Sequence, residues 1–488
     1  MSIRPQPPRR RRRRSWVAGW AVTSLVATTT SLAWADSLAE QRPPDAAAPA
    51  SPPLSAAAPA NAAASALGLA QAIALALQNS PTPRIARARV TLAQAGLAAA
   101  RAPAAPTLSS TSSLGGALYR GVINQVQLLG DGQTARYAWV DVGLEARWLL
   151  IDFGRTRHRT DGARLELSSA ELEARAALLT AARDAALAYY TLAFDQALYA
   201  ASEDTLAQRE RQLATTRALV ESGVRSPGDQ TRASVALEAA WLDRAVADAR
   251  VQESAVALTQ ALGLEPSAAL RVAAPRELSV EDTPARAARQ AVRADAALAA
   301  LEQRVRAARA RLNAAQAERR PTLEANASGA LRYLRGPELR VATVSQDLGV
   351  GLTFGVPLLD AARSAAVDVA AGEAAQLDAE LFERTSAVRS AATRAALQVG
   401  SKRVVLERAE RVADGARANL SDVEARYEQG FVGPLEMLDA QNVEAEARVA
   451  VIEARRELEL AKVRLLHCTA EMLESVPELA RPGARPRS

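Results

Sequence analysis

The chain carries one order of features twice, and this internal repeat constrains its fold more than any other property of its 488 residues. Residues 69–263 and 285–472 each open with an amphipathic helix, then run through Pro-Thr-Leu into an alternating strand. A second strand ends in an apolar-Asp turn, a long Ala-rich helix follows, and a Gly/Pro break leads into a second long helix. The landmarks are Pro106-Thr107-Leu108 against Pro321-Thr322-Leu323, the turns at Asp152 and Asp360, and the breaks at Gly223 and Gly430. Their offsets are 215, 208 and 207 residues. So little drift marks a duplicated supersecondary unit, and such units stack side by side.

Residues 1–35 read as a secretory signal: a basic block Arg9–Arg14, an apolar stretch Trp16–Ala33 and a small-x-small site Ala33-Trp34-Ala35. An N-terminal membrane anchor is the alternative, opposed by Thr28–Thr30 and the cleavage site. The leader holds seven arginines and no acidic residue, so the formal charge of +6 becomes 6 − 7 = −1 beyond it. The high pI is therefore a property of the leader, and the remainder offers no basic excess for nucleic acid. Residues 36–66 are Ala/Pro-rich and read as a flexible segment, and 475–488 as a flexible tail. Between them lie a first repeat over 67–263, a connector over 264–284 and a second repeat over 285–474.

A single cysteine, Cys468, precludes an internal disulfide, and with no cysteine at the expected mature N-terminus no lipid anchor is expected. Cys468 beside His467 reads as the buried end of a helix. With His158 the only other histidine, no metal-ligand set, cofactor site or catalytic constellation emerges, and no Walker or nucleophile-elbow motif is present.

No segment beyond the leader reaches the ~18 apolar residues that a membrane-spanning helix needs. The strands are different. Leu348, Val350, Leu352, Phe354 and Val356 alternate with Asp347, Gly349, Gly351, Thr353 and Gly355. Val140, Val142, Leu144, Ala146 and Trp148 alternate with Asp141, Gly143, Glu145 and Arg147, and the strand from Thr322 follows the same rule. The Ser/Thr-rich strand from Thr107 fits less well. Such strands have the ~9–11-residue length and the apolar-out, polar-in pattern of a membrane barrel. Trp139, Trp148, Tyr119, Tyr137 and Tyr333 fall near strand ends, where aromatic girdles sit, although Trp139 and Trp148 have opposite parity and require a bulge to share a face. Residues 119–137 and 334–345 read as exposed loops. Four strands cannot close a barrel, which takes ~8 or more, so several chains must combine; the strand count allows two, three or four.

From Ala163 to Val220 neither proline nor glycine interrupts the helical pattern. Leu165, Leu172, Ala176, Leu179, Ala186, Tyr190, Ala193 and Ala197 recur at coiled-coil spacing, as do Leu406, Ala409, Ala413, Ala416, Leu420, Val423 and Tyr427. Return helices are expected over Asp229–Leu262 and Leu435–Leu473. The fold class is α+β, with two tandem strand-strand-helical-hairpin repeats, a barrel on one side of a waist and a helical tube on the other.

The chain resembles the TolC-type outer-membrane efflux proteins, the outer-membrane factor family. The resemblance is carried by Tyr427-Glu428-Gln429-Gly430 through Leu438-Asp439-Ala440-Gln441, by the Asp152 and Asp360 turns, and by the openings Ala70–Pro81 and Pro106-Thr107-Leu108. It covers roughly residues 67–475. It implies a homotrimer with a twelve-stranded outer-membrane β-barrel continuous with a periplasmic α-helical coiled-coil barrel. It implies partners too: outer-membrane lipid, a periplasmic adaptor (membrane fusion) protein, and an inner-membrane transporter, ABC or proton-driven. The adaptor would dock at the tips, marked here by Gly223, Pro227, Gly430, Gly433 and Pro434. An acidic gate maps onto Glu436 and Asp439, which share a helix face; alone they would read as a solvated surface. The family's gate lock pairs a basic residue at the position of Val432 with an acid at that of Glu238, so the lock is absent here. Asp229 and Arg232 occupy the corresponding places in the first repeat, making the two tips electrostatically unequal. The implied function is a passive exit duct. The missing lipid-anchor cysteine points to type I secretion of a protein such as a toxin. Multidrug or other small-molecule efflux is the alternative, and a periplasmic coiled-coil adaptor a remote one.

Overall fold

The computed structural model describes residues 66–120, 134–281, 283–335, 343–429 and 431–472. The expected signal, the segment 36–65 and the tail 475–488 lie outside the described residues. The first repeat comprises α1 (Leu69–Asn79), α2 (Pro81–Arg101), β1 (Thr107–Arg120), β2 (Thr134–Ile151), α3 (Arg155–Glu221) and α4 (Pro227–Leu262). The second comprises α5 (Pro284–Ala294), α6 (Ala296–Ala317), β3 (Thr322–Arg335), β4 (Thr343–Gly355), α7 (Ala361–Glu428) and α8 (Pro434–Cys468).

The duplicated order holds, with three corrections. The opening helix is two helices in each repeat. Pro81 lacks the N–H needed to continue α1, and the Asp295 side chain caps α6 by accepting from the amides of Ala297 and Leu298 at 2.8 and 3.1 Å. The long helices exceed expectation, with 67 residues in α3 and 68 in α7, or about 100 Å each at ~1.5 Å per residue. Gly162 lies inside α3 and faces α6, where a Cβ would make only ordinary contact, 3.6 Å from the Ala307 carbonyl. Finally, α8 stops at Cys468, short of Leu473, where Ala470 turns to φ 59°.

The four strands form one antiparallel sheet in the order β1-β2-β3-β4. Register places Val140 beside Leu114 and Tyr333, Ala146 beside Leu108 and Ala327, and Leu323, Ala325, Ala327 and Gly329 beside Phe354, Leu352, Val350 and Leu348. The apolar parity is thus one continuous face, and it is bare: Leu348 and Val350 are each 92% exposed. Ser110 and Ser112 of β1 share that face, as the weaker pattern there foreshadowed. The opposite face is polar and internally bonded. Arg332 Nε donates to Asp141 Oδ1 at 2.7 Å, and Ser113 donates to Asp141 Oδ2 at 3.4 Å.

Two expectations for the strands are corrected. The strands extend into the expected loops, through Arg120 and from Thr134, and through Arg335 and from Thr343. Trp139 belongs to the polar face, because the only register shift in β2 lies between Leu149 and Ile151, beyond Trp148. Its ring lies on Gly115 of β1, where a Cβ would come within 2.3 Å. Trp148 stands on the apolar face and donates to the Ala104 carbonyl at 3.1 Å. The side chains of Tyr119 and Tyr137 lie outside the described residues.

Helix α6 is gripped between α3 and α7. Along α3 and α6, ion pairs Arg159–Glu318, Glu166–Arg311 and Glu173–Arg304 recur every seven residues in opposite directions. Midway along the helices sits the main core, built around Tyr189, Tyr190, Phe194, Ile73, Leu258 and Val463. The tyrosines strap the connector to it, donating to the carbonyls of Ala273 and Arg276 at 3.0 and 2.7 Å. The connector also pairs with the first repeat through a parallel bridge, Leu67 to Val272.

Candidate functional site at the helical tips

Each hairpin reverses at a tip whose chemistry follows from its break residues. In the first, Gly223 takes φ +75°, a left-handed conformation that glycine adopts without cost. The amides of Gly223 and Val224 then satisfy the Val220 and Leu219 carbonyls at 3.0 Å each. Pro227 begins α4 at the first helical position, where its missing N–H is not needed. Ser226 and Asp229 form a capping box, with Asp229 Oδ2 accepting from the Ser226 amide at 3.3 Å. Asp229 also pairs with Arg232 at 3.3 Å. This carboxylate, a candidate gate group by sequence, is thus engaged in holding the helix start.

The second tip differs. Gly433 is the N-cap of α8 and Pro434 its first residue, while Gly430 lies outside the described residues. Glu436 and Asp439 are exposed in the first turns of α8, with no ion pair or hydrogen bond among the described residues. Glu238 is likewise exposed on α4. Val432 is buried at 4% exposure against Leu420, Val423, Ala440 and Met437, so apolar packing closes the tip where a basic residue would have had to reach out. Beside it, Phe431 is 75% exposed.

What joins the two hairpins was not read from the sequence. Arg209 on α3 is 5% exposed, yet its guanidinium faces only neutral acceptors. Nη1 donates to Gln441 Oε1 at 2.5 Å and Gln212 Oε1 at 3.3 Å, and Nη2 to Asn442 Oδ1 at 2.6 Å. Burial pushes its pKa down from the usual arginine value, though not far enough for deprotonation to matter. Nearer the tip, the Arg225 guanidinium lies 5.1 Å from the centre of the Tyr427 ring, crossing from the first tip to the end of α7. Farther along, Arg448 and Asp204 approach at 3.5 Å. The sequence showed a charged stripe, which is usually a solvated face. The one available signal was the adjacent carboxamide pair Gln441-Asn442 on an otherwise Ala- and Glu-rich helix.

Comparison with known proteins matches this geometry. The model of the outer membrane efflux protein family covers residues 72–264 and 287–471, the two repeats. Protein CyaE of Bordetella pertussis is 30% identical over 408 residues, spanning 82% of this chain and 83% of that protein. The toluene efflux pump outer membrane protein TtgC of Pseudomonas putida is 31% identical over 188 residues, 38% of each chain. Among solved structures, a membrane protein from Pseudomonas aeruginosa superposes with a TM-score of 0.71 at 21% identity, over 82% of this chain and 93% of that one. The outer membrane protein VceC of Vibrio cholerae gives 0.69 at 20% identity, over 82% and 95%. These two likenesses are of fold.

Proposed function

The chain belongs to the outer membrane efflux protein family and is a passive outer-membrane export channel, not an enzyme; from that premise we propose that it is the exit duct for a secreted protein in a type I system. Family members work with a periplasmic adaptor and an inner-membrane pump. The observation that carries the cargo reading is the breadth of likeness. The match to CyaE spans 82% of this chain and 83% of that protein, whereas the relatives named for efflux pumps align over 38% of this one. The sole cysteine at Cys468 leaves residues 1–467 without a thiol for lipid attachment, in keeping with that reading. The second reading, small-molecule efflux, rests on those same pump-named relatives.

The duct closes as a homotrimer. Among the described residues both outer strands, β1 and β4, present unpaired edges of 14 and 13 residues, which a stable protein must cover. The bare apolar face meets lipid, and the Asp141–Arg332 face lines the lumen. The tips form the adaptor-facing mouth, with Glu436 and Asp439 of each copy converging there and favouring cations. Comparing culture supernatants of cells with and without the gene tests the cargo. Loss of one large secreted protein supports the reading, while an unchanged supernatant with raised drug or solvent sensitivity replaces it with small-molecule efflux.

A further inference from the structure

The guanidinium that joins the two hairpins lacks a counter-ion and has donors to spare. Arg209 is 5% exposed and has no ion pair among the described residues. Burial lowers its pKa, and no neighbouring carboxylate offsets the effect. A guanidinium carries five N–H donors. Gln212 and Gln441 take those of Nη1 and Asn442 takes one from Nη2, so at least two remain. Nε makes no hydrogen bond among the described residues and is not sealed in the interior. Two free N–H groups are what a bidentate carboxylate requires.

Arg209 also lines a groove. Helices α4 and α8 stand apart over α3 and leave a cavity of about 490 Å³, lined by Arg209 and Thr205 of α3, by Val235 and Ala239 of α4 and by Leu438 of α8. A second cavity, of about 400 Å³, shares Thr205, Ala240 and Ala445 with the first and continues to Leu198. From Arg209 to Leu198 helix α3 rises about 16 Å at ~1.5 Å per residue, the reach of a fatty-acyl chain. The walls are apolar and open to water: Val235, Val246 and Val449 are 64%, 45% and 38% exposed. Exposed charges of both signs line the same groove, Asp243 and Glu446 against Arg232 and Arg250, and solvent screens them. Among the described residues Arg209 is the only buried charged group in its lining.

We propose that this groove binds a single-chain anionic amphiphile, with its carboxylate on the free N–H groups of Arg209 and its chain along the apolar walls toward Leu198. Charge complementarity selects the head group, because the one buried charge is a cation whose desolvation no anion of the chain offsets. The valine and alanine walls select the tail, which covers apolar surface that is otherwise wet. A bound molecule touches α3, α4 and α8 at once, so it reinforces the joint that Arg209 already makes between the hairpins. The site lies within one chain and depends on neither the cargo nor the number of copies.

The test is calorimetric titration of the purified protein, in a neutral detergent, with dodecanoate, dodecanol and dodecyltrimethylammonium. Saturable binding of dodecanoate is expected, with dodecanol weaker by about tenfold or more for want of charge-assisted bonds, and no binding of the cation. Dodecanoate is also expected to raise the thermal midpoint by a few degrees. Arg209→Met should reduce dodecanoate to the level of dodecanol. Ala239→Trp leaves Arg209 and its partners in place, fills the groove from an exposed wall position, and should abolish saturable binding. Equal affinity for dodecanoate and dodecanol, or binding indifferent to both substitutions, overturns the site. Binding of an acidic helical peptide but of no amphiphile, lost in Arg209→Met, gives the groove to a protein partner and overturns it as well.

Discussion

Replacing Arg209 with methionine keeps the apolar stem and removes the guanidinium, which makes it the sharpest probe of how the tips are held. Three charge-assisted hydrogen bonds disappear, and the carboxamide of Gln441, 4% exposed, loses its Arg209 partner. Hydrogen bonds to charged groups contribute about 1.5–3 kcal/mol each, and a stranded buried polar group costs about 1–3 kcal/mol. Against this, methionine no longer requires a cation without a counter-ion to be buried, a desolvation cost of several kcal/mol. The opposing effects nearly cancel in overall folding, because the midway core does not depend on Arg209. They do not cancel in the contact between α3 and α8 near the tips, which loses a buried charged clasp. We expect that contact to weaken by about 2 kcal/mol per copy, or roughly 30-fold in the ratio of joined to separated hairpins. Reconstituted trimers should therefore show higher resting conductance in planar bilayers with a thermal midpoint within a few degrees of the parent. Lysine should not rescue, since a compact ammonium cannot span Gln441 and Asn442 as a planar fork does. A Gln441→Leu companion should be strongly non-additive with Arg209→Met. Unchanged conductance in intact trimers, or simple additivity in the cycle, would refute the clasp.

Gly115→Val places a side chain where the Trp139 ring already lies, a 2.3 Å conflict, and should cost about 1–3 kcal/mol in barrel stability, seen as a lower heat-dissociation temperature on unboiled gels. Adding Trp139→Ala should recover much of that loss. Burial, reinforced by the nearby Arg183 charge, holds His467 below its ordinary value near 6.5. The unfolded chain then binds the proton more readily, so this stability is present above that value and declines as pH falls through it. The thermal midpoint should drop less between pH 7.5 and 5.5 in His467→Gln than in the parent. Replacing Glu436 and Asp439 with Gln and Asn should move the cation-to-anion permeability ratio toward unity without altering trimer yield; an unmoved ratio returns both residues to a solvated helix face.

Strand parity was legible because lipid-facing and lumen-facing positions must differ in polarity at every step. Only β1 blurred, where Ser110 and Ser112 stand on the apolar face. Helix identity was legible from the unbroken run between Ala163 and Val220. The break between α1 and α2 was not, since proline suits the first turn of a helix as well as the end of its predecessor. The side of Trp139 was settled by where the bulge fell, and register irregularities have no reliable mark in a single strand's sequence. For the site, sequence marked the tip glycines and prolines because they are backbone devices. It did not mark Arg209, because one buried arginine on a helix rich in surface arginines has no compositional signature. Its burial arises from a contact between residues 232 apart.

The two tips thus hold by different means, and the difference has a consequence for salt. At the first, Asp229 is engaged by its own capping box and by Arg232. At the second, Val432 packs in an apolar cluster, and the link between hairpins passes through the buried Arg209. An exposed ion pair at the Val432 position would weaken as ionic strength rose, since the Debye length falls from about 10 Å at 0.1 M to about 3 Å at 1 M. A buried guanidinium bonded to neutral amides is screened far less, and hydrophobic packing is indifferent or strengthened. The resting state of this duct should therefore be largely insensitive to salt, whereas the ion preference proposed for the exposed Glu436 and Asp439 should fade with it. On the proposed reading, holding the mouth and filtering what passes through it fall to separate residues, one set inside the helical packing and the other facing water.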